Sequence, residues 1–167
     1  LPATMMVVKS LYNNKDGKPK ARLISPKGDT VSVNQRKLQR LENKKFNYYY
    51  KVTLFKVEDK LKAVMMKPVE RDACLSEFPK RLAVVDNINI EKKLFHLVFA
   101  DVADCVVLFR ETPFKPKVGL IVEVTEVRVR NIEKQRIDHN ILHIATTEET
   151  MDRVKDITGP VRLSFNA

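Results

Sequence analysis

Apolar and polar residues alternate along most of the chain, or apolar residues run in short blocks closed by turn residues, and both patterns are those of β-strands. Met5 to Tyr12 predicts a first strand and Ala21 to Ile24 a second. Between them, Asn13-Asn14-Lys15-Asp16-Gly17 is a turn in which Gly17 is free to take a positive φ. Pro26-Lys27-Gly28-Asp29 then leads into a third strand, Thr30 to Val33. Asn34 to Leu41 changes period: Leu38 and Leu41 lie three apart among Arg36, Lys37 and Arg40, which predicts one or two helical turns with Asn34 as N-cap. Phe46 to Val57 is the clearest strand of the first half. It puts Phe46, Tyr48, Tyr50, Val52 and Leu54 inward, and Asn47, Tyr49, Lys51, Thr53 and Phe55 outward. Glu58-Asp59-Lys60 is a turn, Leu61 to Met66 returns, and Lys67 to Lys80, with Pro68 and Pro79, reads as a linker.

Beyond it, Leu82 to Ile90, Leu94 to Ala100 and Cys105 to Phe109 are short apolar runs, and Leu94 to Phe99 is apolar on both faces except at His96. Val118 to Arg130 predicts a long strand whose apolar parity passes from Val118, Leu120, Val122 and Val124 to Val127 and Val129, as a β-bulge would produce. Asn140 to Thr146 is a further strand, Thr147 to Ile157 a helix stopped by Gly159-Pro160, and Val161 to Phe165 a closing strand. No internal repeat of fixed period is visible. The expected fold is mostly β with one or two short helices. A basic β-rich unit, residues 1–79, packs with an OB-like barrel, residues 80–167.

Charge sharpens this division. Of the net +10, residues 1–84 carry +11, from 19 Lys and Arg against 8 Asp and Glu, while residues 85–167 carry −1, from 12 against 13. A one-sided positive field attracts polyanions. Cys74 and Cys105 form no zinc-type pair, and Cys105 sits in an apolar run as a buried thiol, so an intracellular, reducing compartment (nucleus or cytoplasm) is expected. No apolar stretch approaches the ~20 residues that cross a bilayer, and Leu1-Pro2-Ala3-Thr4 reads as a processing edge. No membrane partner is expected.

Residues 94–146 resemble the middle of an OB-fold of the replication protein A type. The resemblance rests on Leu94 to Asp101, a short turn, Cys105 to Phe109, then Pro116-Lys117-Val118-Gly119 leading into Ile121-Val122-Glu123-Val124 and Val127-Arg128-Val129. It implies a five-stranded barrel that binds single strands across one face. Its opening strand is either Leu82 to Ile90 or Phe46 to Val57.

Candidate chemistry centres on the basic-aromatic run Lys44-Lys45-Phe46-Asn47-Tyr48-Tyr49-Tyr50-Lys51, because single strands are held by cations along the backbone and by aromatic faces under the bases. Tyr49, Lys51 and Phe55 are its expected exposed contacts, beside Lys44 and Lys45. Lys18, Lys20, Arg22 and Lys27 around the first hairpins, and Arg36, Lys37 and Arg40 on the helical piece, would extend a phosphate-tracking stripe. Arg110, Arg128 and Arg130 would contribute from the second half. No cofactor or metal is expected: His139 and His143 flank a strand pattern, and four glycines leave no phosphate loop. The sequence thus points to non-catalytic binding of single-stranded DNA or RNA, DNA slightly preferred, as in replication, recombination or repair. The alternative is a protein-interaction or oligomerisation module, with self or replication-complex proteins as partners. The third reading is a small metal-dependent nuclease, on Asp29 and Glu58-Asp59-Lys60.

Overall fold

The structure is a computed structural model describing residues 2–101, 104–108, 114–146 and 148. The expected helix over 147–157, the strand over 161–165, Arg110 and the Cys105 thiol lie outside the described residues and side chains. The chain is mostly β, in two five-stranded sheets, with one short α-helix. No described helix is long and apolar enough to cross a membrane.

The first sheet contains β1 (Ala3–Asn13), β2 (Pro19–Ile24), β3 (Thr30–Asn34), β4 (Tyr49–Val57) and β5 (Lys60–Pro68), in the order β3-β2-β1-β4-β5. All its pairings are antiparallel, and β3 comes back against β5, so the sheet curls toward closure. Its interior is filled by Met6, Val8, Ala21, Leu23, Val31, Val33, Leu38, Tyr50 and Val52. Local chemistry sets the turns. Asn14 Oδ1 accepts the amides of Asp16 at 3.0 Å and Lys18 at 2.9 Å, and Gly17 takes φ +77 as expected. Glu58 and Asp59 both have positive φ, the two-residue hairpin geometry that matches strand twist.

The second sheet contains β6 (Lys80–Asn89), β7 (Leu94–Phe99), β8 (Asp104–Leu108), β9 (Ile121–Asn131) and β10 (Arg136–Thr146), in the order β10-β9-β6-β7-β8. Read from its own first strand, this is the order of the first sheet again: the opening strand is central, with the second and fourth beside it. The sequence carries no repeat of fixed period, but the topology repeats. The OB-like arrangement expected of the second half is therefore found in both sheets, and Lys80–Asn89 opens the second. Ala83, Val85, Phe95, Leu97, Phe99, Val107, Val122, Val124 and Ile144 form its core, with Phe114 edge-on to Phe95 at 6.3 Å.

The chain divides into two compact units. The described residues up to Pro79 with Val127–Asn140 form one, and Lys80–Glu126 with the described residues from Ile141 onward form the other. This gives the parity change in β9 its meaning. Val122 and Val124 belong to the core of the second unit, whereas Val127 and Val129 meet the β2–β3 turn inside the first. There a Cβ on Gly28 would lie 3.3 Å from Val129 and 3.8 Å from Val127.

Several expectations are corrected. Lys67 to Lys80, expected as a linker, ends at the boundary between the two units but is not open chain: it contains α1 (Arg71–Leu75), which packs on β1 and β4, and Cys74, Leu75 and Phe78 are buried. Leu41 is exposed and Asn34 makes no side-chain cap, since only a single 3-10 turn, Gln35–Lys37, forms before the chain becomes extended at Leu38. Val98 is exposed, so β7 buries one face only. The ninth strand starts at Ile121, because Val118-Gly119 is a turn with Gly119 at φ +90.

Cys74 donates its thiol to Met6 O at 3.6 Å, and burial pushes its pKa up to about 11. The neutral thiol therefore adds stability below the open-chain pKa, and this is lost as pH climbs toward 11. In a Cys105→Ser background, a thiol reagent at pH 8 should react about a hundredfold or more slower with the folded chain than with the urea-unfolded chain. Equal rates would contradict this packing of α1.

Candidate nucleic-acid interface

Side-chain parity along β1 is broken by a register shift between Val8 and Ser10, where Val8 faces Leu23 and Ser10 already faces Arg22. Lys9 is thus an extra residue, and the strand beyond it presents its other face. Unshifted alternation would send Tyr12 inward with Met6 and Val8. The shift instead sets two polar rows across the outside of β1-β2-β3: Tyr12, Lys20 and Asn34 in one, Ser10, Arg22 and Ser32 in the other. The Arg22 guanidinium lies 5.0 Å from the Tyr12 ring centroid, and the Tyr12 hydroxyl is hydrogen-bonded to Ser32 Oγ. That bond, with Arg22 beside it, holds the Tyr12 phenol below its usual pKa.

These rows run into an open concavity of about 490 Å³ lined by Lys18, Pro19, Lys20, Asn34, Gln35, Arg36, Arg40 and Phe46. Its far wall is a small hairpin. Asn47 donates its amide to Gln39 O at 2.9 Å, Leu41 donates to Lys45 O at 2.7 Å, and Arg40 bridges Phe46. The pairing sets the Arg40 guanidinium 5.0 Å from the Phe46 ring centroid. Asn43 and Lys44, both at positive φ, make the tip.

Tyr50 fixes this hairpin. Its ring is buried in the core at 1% exposure. Its hydroxyl donates to Asn47 O at 2.7 Å and accepts from the Gln39 amide at 2.8 Å, tying both legs to β4. Burial pushes the Tyr50 phenol above its usual pKa, so the donor proton is held across the neutral range. Opposite, Gln35 Nε2 donates to Lys20 O at 3.0 Å and fastens the 3-10 turn to β2.

Lys18, Lys20, Arg22, Arg36 and Arg40 are thereby brought onto one side, and none of them is ion-paired among the described residues. The other expected contacts go elsewhere. Lys44 and Lys45 are exposed at the hairpin tip, and Lys27 is in the β2–β3 turn. Lys37 lies beside Ala63 to Met66. Lys51 and Phe55 are exposed on the outside of β4. Arg128 and Arg130 line a separate open concavity of about 790 Å³ with Ile132, Gln135, Arg136 and Ile137.

Two tyrosine expectations are overturned. Tyr48, expected inward, is 42% exposed, because β4 begins only at Tyr49 and Asn47 breaks the alternation by bonding Tyr49 at both its amide and its carbonyl. Tyr49, expected outward and open, is half-buried: its carbonyl accepts the Val69 amide, α1 packs on β4, and burial raises its pKa. Tyr12, Asn34 and Gln35 are groove residues that alternation does not single out, while Phe46, expected inward, packs partly against the first core and also lines the groove. The signal for Tyr12 was the hairpin turn, which fixes its register against Lys20.

The nuclease reading gains no assembled site. Asp59 is 97% exposed with its carboxylate 3.9 Å from Lys56, and no group of three or more His, Cys, Asp or Glu among the described residues is placed to hold a metal.

A family model described as S1/CSD-like domain 1 of the TOTE conflict systems matches residues 75–137, less than half of the chain. The match supports an OB-type fold, not specifically the replication protein A type. No curated protein matches. Among solved structures the chain is similar to drosophila Unr CSD456, at 12% identity and a TM-score of 0.35, over 84% of this chain and 60% of that one. It is also similar to a multidomain protein with nucleic acid binding domains from Streptococcus pneumoniae TIGR4, at 8% identity and a TM-score of 0.29, over 92% of this chain and 57% of that one.

Tyr50→Phe keeps the buried ring but strips the Gln39 amide and the Asn47 carbonyl of a shared partner. It should lower unfolding free energy by about 1–3 kcal/mol, read as a lower urea midpoint at unchanged slope. An unchanged midpoint would remove the hydroxyl from its role as anchor.

Proposed function

We propose that this chain binds single-stranded nucleic acid through the outer side of β1-β2-β3 and the adjoining concavity, without performing chemistry on it. The observation that carries this reading is the convergence of Lys18, Lys20, Arg36 and Arg40 around Phe46, beside the Arg22–Tyr12 pair. Phosphates are drawn by unpaired cations, and bases stack on accessible ring faces regardless of sequence; Tyr12 and Phe46 are each partly exposed. No carboxylate lines the concavity among the described residues, so nothing there repels a polyanion. The match of residues 75–137 to an S1/CSD-like domain supports the same class of ligand, and the repeated strand order gives a scaffold of that type in both sheets. Lys44 and Lys45, at the tip of the far-wall hairpin, would meet the strand as it leaves the groove, and Arg128 and Arg130, in the other concavity, would offer a second set of phosphate contacts.

The test is fluorescence anisotropy with labelled single-stranded DNA, single-stranded RNA and duplex DNA across a salt series. Single strands should bind more tightly than duplex, and the DNA and RNA arms separate the two polymers. The log–log salt slope should fall by about 0.7 for each phosphate that is no longer neutralised, so Arg36→Ala with Arg40→Ala should flatten it by about 1.4. Tyr12→Ala should cost about 1–3 kcal/mol of binding with little change in slope. An unaltered slope in the double variant would overturn the groove assignment, and no single-strand binding at low salt would overturn the function.

A further inference from the structure

The β4–β5 hairpin carries a second surface that the groove does not use. Its outward residues follow from the register: Lys51 faces Lys67, Thr53 faces Met65, Phe55 faces Lys62 and Val57 faces Lys60. A register shift between Thr53 and Leu54 leaves Val64 as an extra residue on β5. The result is a cluster of exposed apolar side chains, Phe55 at 46%, Val57 at 36%, Val64 at 58% and Met65 at 66%, on a hairpin that also exposes Lys51, Lys60, Lys62 and Lys67.

Two features of this face point to a partner. The lysines are not ion-paired among the described residues, and Lys51 and Lys67 stand directly opposite each other, a like-charge pair that disfavours the sheet. The one nearby carboxylate in an ion pair, Asp59, is engaged by Lys56, whose neighbours in the strand point the other way. Apolar groups clustered among unbalanced cations are completed by a ligand that brings both apolar groups and negative charge. The apolar part is mostly aliphatic, with one aromatic ring and an adaptable methionine, which suits a protein surface better than a row of bases. A second copy meeting the same face would set lysines against lysines.

We propose that the outer face of the β4–β5 hairpin docks an acidic segment of a partner protein that carries apolar side chains between its carboxylates. Such a segment would lay its apolar residues over Phe55, Val57 and Met65 and neutralise the flanking lysines. The site shares no lining residue with the nucleic-acid groove.

The probe is a short labelled peptide alternating Glu with Leu and Phe, with a counterpart carrying Lys for Glu as control, titrated against the full chain. The Glu peptide should bind and the Lys peptide should not. Lys51→Glu with Lys62→Glu and Lys67→Glu, and separately Phe55→Ser with Met65→Ser, should each weaken the Glu peptide by about tenfold or more. Oligonucleotide affinity in the apolar pair should stay unchanged, and Arg36→Ala with Arg40→Ala should leave the peptide bound. If the peptide does not bind, or binds these variants like the parent chain, the proposal is overturned. If the Phe55→Ser, Met65→Ser pair loses oligonucleotide instead of peptide, the face belongs to the nucleic acid. Failure of the groove variants alone would leave this proposal standing and overturn the other.

Discussion

The first unit depends on a phenol that is buried at one end and hydrogen-bonded at the other. Tyr50 fills the barrel interior beside Met6, Leu23 and Val52, so its ring cannot leave without opening a cavity. Its hydroxyl therefore emerges at a fixed point, where it takes the Gln39 amide and gives its proton to Asn47 O. Backbone groups that would otherwise need water are satisfied there, and the segment between β3 and β4 becomes a hairpin of defined shape rather than a long open connection. Arg40 and Phe46 owe their mutual position to that hairpin, and the groove owes its far wall to them.

A second constraint acts through register. Bulges at Val8/Ser10 in β1, Thr53/Leu54 in the β4–β5 pair and Val85/Asn87 in β6 each insert one residue against an unshifted partner. Curled five-stranded sheets need such sites, because extra residues bend strands and increase their twist. The same insertions choose which side chains meet solvent. In β1 the bulge delivers Tyr12 to the side that carries Lys20 and Arg22; in β5 it leaves Val64 beside Met65 on an exposed face. Closure of the fold and composition of its surfaces are thus settled by one device.

Charge follows the same division. The cations of the first unit stand in two settings: around Phe46 and Tyr12 at the groove, and among Phe55, Val57, Val64 and Met65 on the β4–β5 hairpin, with Lys37 beside Ala63 to Met66. These settings suit different ligands, because a phosphate backbone demands cations with planar stacking surfaces whereas a protein segment demands apolar area with balanced charge.

The sequence by itself determined that the chain is built of strands, where the turns at Gly17 and Glu58-Asp59 fall, that the second half has an OB-like order, and that positive charge belongs to the first half. Those properties are local, or are sums over residues. It could not determine that the first half repeats the topology of the second, since strand order depends on pairings between residues far apart in the chain, such as Ala3 with Thr53. Nor could alternation place Tyr12, Tyr48 or Tyr49, because a one-residue bulge, a side chain bonding its own backbone and a helix packed from about twenty residues away each override a period of two. Only the tertiary structure decided which cations share a surface, since that depends on which strands become neighbours.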